Sequence, residues 1–151
     1  LFSAVGGRFA SDEDIWLFLH LLFETIWRYR FLYRDLSDLL TRNRLLEVHI
    51  GRILERKVQA AELVCSGLVE NNEMKASPAE IHALATNMAA LATCWLSFEY
   101  ARNPRAGIEG AGLERGVYQV MAMLSPFLQG DSRRLFERLS NEYLKSTENK
   151  N

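Results

Sequence analysis

The chain has 151 residues, enough for one globular domain with a real core. Hydrophobic residues make up 48% and charged residues 25%, which excludes a disordered chain, and no apolar run reaches the roughly 20 residues of a membrane span. A formal net charge of −1 excludes the strongly basic character usual in a small domain that lives on nucleic acid.

No alternating β-branched run bounded by tight turns occurs, so no strand is predicted. Ser11-Asp12-Glu13-Asp14 opens a first helix with a hydroxyl cap and an acidic first turn, and residues 12–31 follow without Gly or Pro. A short segment at about 34–41 leads to Asn43, the expected cap of a long helix to about Asn72. Its stripe is Leu46, Ile50, Ile53, Leu54, Ala61, Val64, Cys65 and Leu68. Ser77-Pro78-Ala79-Glu80 reads as a capping box with proline at the first helical position, and Asn103-Pro104 stops that helix after Arg102. The segment Gly107–Gly112 predicts a loop, followed by a helix over about 113–129. Gly130-Asp131 then begins a last helix, ending near Lys145 before a frayed tail. The expectation is an all-α fold, a single helical bundle of about six helices over 1–151.

The helix after Ser77 carries two apolar faces. Ile81, Leu84, Met88, Leu91, Trp95 and Phe98 gather on one side and suit the chain's own core. Ala85, Ala89, Ala92 and Leu96 lie about 100° round, where alanine permits close approach of another helix. The following helix has a stripe that includes Val117, Met121 and Leu124. These seven residues are the expected homodimer interface, through a two-fold four-helix contact; the alternative is that the last helix covers the alanine face within one chain.

On the first helix Trp16, His20, Phe23 and Trp27 share one face. A histidine in an aromatic wall can anchor a polar atom of a bound small molecule, with Met88, Leu91 and Trp95 closing the pocket. Equally, it is a core histidine bonded to a buried carbonyl. Cys65 and Cys94 form no CxxC pair and read as buried, reduced thiols of a cytoplasmic protein. No Glu-x-x-His pair, Cys/His ladder or nucleophile elbow is present, so no metal, cofactor or catalytic residue is expected.

Between Arg28 and Lys57 stand eight basic and four acidic residues, a mild positive tilt. Within it, WRYRFLYRDL (27–36) alternates rings with guanidinium groups, as a grip on single strands would. Placed on helices, Trp27 and Phe31 instead continue the buried aromatic face, and Arg34 and Asp38 are spaced to pair locally.

Three pieces, WRYRFLYRDL, NMAALATCWLSFEY and GVYQVMAMLSPFL, occur in an order and spacing that resembles the regulatory domains of TetR-like bacterial transcriptional repressors. The resemblance covers roughly the whole chain. It implies an all-α domain that binds a small-molecule effector and forms the homodimer. It also implies an upstream helix-turn-helix that reads operator DNA, which is missing from a chain opening on Leu1 and expected to be a fragment. An effector would act by changing the distance between two DNA-reading domains. The rival expectation is a free-standing helical enzyme, or a small-molecule or lipid-binding protein, using the Trp16/His20/Phe23/Trp27 wall.

Overall fold

The computed structural model describes residues 12–105 and 110–148, and all its regular structure is helical. In chain order the elements are α1 (Asp12–Arg28), α2 (Arg30–Arg34), α3 (Leu36–Arg42), α4 (Arg44–Glu70), α5 (Pro78–Arg102), α6 (Gly110–Leu124) and α7 (Gly130–Glu148). A single 3-10 turn, Ser125–Phe127, separates α6 from α7. Among the described residues seven helices stand where six were expected, because the first breaks at Tyr29 (φ −104°, ψ 27°). Arg30 accounts for the break. Its Nη1 donates to the Trp27 carbonyl at 3.3 Å, giving an end-of-helix oxygen a partner, while the guanidinium lies 4.8 Å from both the Trp27 and Phe31 ring centroids.

The long helices start where their side chains can satisfy free backbone N–H groups. Asn43 Oδ1 accepts from the Leu46 N–H at 3.1 Å. At α5 the box is complete: Ser77 Oγ accepts from Glu80 N–H (3.2 Å), and Glu80 Oε2 accepts from Ser77 N–H (2.7 Å). Those bonds hold the Glu80 carboxyl below the usual carboxylate range. Asn103 ends α5 as expected. At the other end of the chain α6 stops at Leu124, short of the expected 129, because Ser125-Pro126 tightens the backbone into the 3-10 turn. The expected glycine loop is described only in part, since residues 106–109 lie outside the described residues, as do those after Glu148.

Two loops are tied together across the bundle. Lys75 N–H donates to the Phe127 carbonyl and Gln129 N–H to the Glu73 carbonyl, both at 2.8 Å, bridging Met74 and Leu128. Glu73 Oε2 then accepts from Ser132 N–H at 3.0 Å, a carboxylate at the positive end of α7. Gly130 enters that helix at φ 58°, a left-handed value that favours glycine.

The most extensive helix contact is the antiparallel α4/α5 hairpin, followed by α5 on α6 and α1 on α6. By length and composition alone α5 could cross a membrane. In this fold it is the central helix, with Leu84, Ala85, Met88, Ala89, Ala92, Thr93, Trp95 and Leu96 buried. The three central helices α1, α5 and α6 close on Gly116. A β-carbon there would stand 2.4 Å from Phe23 Cε1, 2.8 Å from Trp95 Cδ1 and 2.9 Å from Trp95 Nε1. The Trp95 indole N–H donates to the Gly112 carbonyl one turn earlier, at 2.8 Å. Arg115 adds a paired contact to Glu99 Oε2 (3.0 and 2.7 Å), and Tyr118 stacks on Tyr143 of α7 at 4.4 Å.

Glycine substitutions should therefore change sign with position. Gly116→Ala forces ring atoms apart and should lower stability by about 1–3 kcal/mol, outweighing the roughly 1 kcal/mol that alanine gains in a helix. Gly67 meets nothing within 4 Å, so Gly67→Ala should raise stability by roughly 0.5–1 kcal/mol. Urea unfolding of the two variants measures both shifts.

Candidate functional site

The expected aromatic wall turns out to be core. Phe23, Met88 and Trp95 are buried and packed into one cluster, with Trp27 and Leu91 half-buried against it. The reason is the bare backbone at Gly116, which lets Phe23 and Trp95 close on α6 and fill the space a ligand would need. His20 is half-buried and has a partner. The side chain of Trp16 lies outside the described residues. Phe31 departs from expectation, being 62% exposed beside Arg30. Asp38 pairs with Arg42 at 3.1 Å, and the Arg34 side chain lies outside the described residues.

The residues expected at a dimer contact lie inside the single chain. Ala85, Ala89, Ala92 and Leu96 are buried within the single chain, as are Val117, Met121 and Leu124 on α6. That face is covered by the chain's own helices, among which α4 packs most extensively on α5. A different face of α5 is exposed. Ala83, Asn87, Ala90, Cys94, Phe98 and Ala101 recur at spacings of four, three, four, four and three residues, and all are exposed. At roughly 100° per residue these positions form one seam without a charged side chain. Phe98, its one large ring, leans on Trp95 at 5.8 Å.

A shallow apolar cleft with a cavity volume of about 10 Å³ lies between α4, α6 and α7, lined by Leu68, Met121, Leu124, Leu128, Leu135, Phe136 and Leu139, with Ser132 as its polar member. That is room for about one water molecule, far below the volume of a small-molecule site.

Sequence reasoning missed Lys57. It lies on α4 among the buried residues of that helix, and only 6% of its surface is exposed. Its Nζ donates to the Tyr33 hydroxyl at 2.9 Å, joining α4 to α2, and the Ser97 hydroxyl of α5 donates to the Tyr33 carbonyl at 3.5 Å. Burial pushes the Lys57 amine down to about 8, with the Cys94 thiol acting the other way, and burial raises the Tyr33 phenol. Position offered a faint signal: Lys57 falls three to four residues from Leu54 and Ala61, on the apolar stripe. Of the cysteines, both free, Cys65 is buried and pushed up to about 11 by burial and Glu62, whereas Cys94 is exposed, against expectation. Among the described residues no group of three or more His, Cys, Asp or Glu is placed to hold a metal ion.

The fold is that of a TetR-type helical domain. It is similar to a TetR-family transcriptional regulator from Marinobacter aquaeolei VT8, with 24% sequence identity and a TM-score of 0.80, covering 94% of this chain and 68% of that one. The chain itself belongs to the TetR family of bacterial transcriptional repressors, whose family model, described as "Bacterial transcriptional repressor", matches residues 1–136. No curated protein matches it.

Lys57 and Cys65 act on stability with opposite signs. Between about pH 8 and 10 an unfolded lysine keeps a proton that folded Lys57 has released, so this group makes stability rise with pH. Over the same range an unfolded cysteine loses a proton that folded Cys65 keeps, so that group makes stability fall. Lys57→Met should leave a net decline from pH 8 to 10, and Cys65→Ala a net rise. Urea midpoints at several pH values read both slopes; a Lys57→Met profile parallel to the parent protein would contradict the assignment.

Proposed function

We propose that this chain is the effector-binding and dimerising part of its repressor, and that two copies pair through the outward seam of α5. The observation that carries the reading is the run from Ala83 to Ala101, six exposed positions at heptad-like spacing without a charge. A solvated helix surface is ordinarily charged, whereas a seam of small side chains lets two helices approach closely. Half-buried Met123 of α6 extends the apolar surface of the adjoining helix. Two-fold pairing of α5 and α6 with their copies yields a four-helix contact, the arrangement expected from sequence but on another face.

The effector is a small molecule, as membership of the family implies, and the cleft between α4, α6 and α7 would have to widen to admit it. Operator reading belongs to a helix-turn-helix segment, as membership of the family implies. Half-sites one duplex turn apart, about 34 Å, then require a dimer that fixes the spacing of two such segments. An effector that binds one spacing better than the other shifts DNA affinity by that difference.

Neighbouring alanines separate the seam from the core. Ala90→Arg should leave helicity intact and convert the dimer to a monomer in sedimentation. Ala89→Arg buries an unpaired charge and should cost several kcal/mol of stability. A monomeric parent chain, or an Ala90→Arg variant that stays dimeric, would contradict the seam.

A further inference from the structure

Charged side chains on this chain are for the most part solvated or paired with an opposite charge. Lys57 is neither. Among the described residues its ammonium meets the Tyr33 hydroxyl and ring and no carboxylate. The group sits where three helices meet, because Tyr33 belongs to α2, Lys57 to α4, and Ser97, which bonds the Tyr33 carbonyl, to α5. One residue before Cys94, the buried hydroxyl of Thr93 has no hydrogen-bond partner among the described residues. A desolvated amine beside a neutral phenol is the pairing that forms imines, since the amine supplies the nucleophile and the phenol a proton.

We propose that Lys57 and Tyr33 form a covalent capture site for small aldehydes. The free Lys57 amine adds its lone pair to the carbonyl carbon, and the carbonyl oxygen takes a proton from the Tyr33 hydroxyl, whose oxygen lies 2.9 Å from the Lys57 nitrogen. The nitrogen returns a proton to Tyr33, giving a neutral carbinolamine. That oxygen then leaves as water, carrying the proton Lys57 released before attack, as the carbon–nitrogen double bond forms. The product is a protonated imine with the single positive charge the ammonium had, and nothing is oxidised or reduced. With 6% of its surface exposed, Lys57 would be reached by a small carbonyl compound more readily than by a large one. Burial also favours the reaction at neutral pH: an amine titrating near 8 is free on the order of a hundred times more often than an ordinary lysine. The adduct adds carbon between α4 and α2, a helix of five residues flanked by non-helical Tyr29 and Asp35, and so acts on the connection between α1 and α3.

The test is reductive trapping. The folded chain is treated at pH 7.5 with propanal and cyanoborohydride, and alkylation of its lysines is followed by peptide mapping. Lys57 should be alkylated at least fivefold faster than exposed Lys75 and Lys145, the preference should vanish in urea, and Tyr33→Phe should slow labelling of Lys57 several-fold. A smaller preference in the folded chain, or one that survives unfolding, overturns the proposal, whether or not the Tyr33→Phe variant folds. Unchanged Lys57 labelling in a folded Tyr33→Phe variant overturns the role of the phenol. Neither result bears on dimerisation or on the apolar cleft.

Discussion

Much of this bundle depends on a missing side chain. At Gly116 the backbone of α6 is bare, and the rings of Phe23 and Trp95 press onto it from α1 and α5. The contact is closer than any β-carbon would permit, and the indole N–H finishes it by bonding the Gly112 carbonyl. Dispersion and burial act here over two large rings, and the one polar atom that would otherwise be stranded has its acceptor. Three helices thereby share a single fixed point.

That point also sets the rotation of α5 about its own axis. With Trp95 turned to α6, Ala85, Ala89 and Ala92 are buried, and Ala83, Ala90 and Cys94 face outward. The helix thus carries two surfaces with different tasks: one closes the chain's own core, and the other is left without charge on the outside. Phe98 links the two surfaces mechanically, since it lies in the seam and rests on Trp95.

Which parts of this were legible in the sequence follows from how local each cause is. Asn43, the Ser77–Glu80 box and Asn103 act within one turn of the backbone, and their chemistry could be read without any tertiary knowledge. The break at Tyr29 was not readable, because it rests on Arg30 reaching back to a carbonyl and stacking between two rings. The inward face of α5 was misassigned for a physical reason: the helix is apolar nearly all round, so periodicity cannot say which side is covered. Alanine suits close packing against α4 as well as against a second copy. Lys57 was passed over because a lysine in a helix usually reaches water, and only the fold shows it ending on Tyr33.

The two cysteines test the central assignment of faces without any substitution. Cys65 lies in the core and Cys94 on the seam of α5. Maleimide labelling of the native chain over a range of protein concentrations should leave Cys65 silent throughout. Cys94 should react readily in dilute protein and become protected as copies pair. Rapid labelling of Cys94 at every concentration, or reaction of Cys65 at a comparable rate, would contradict the account.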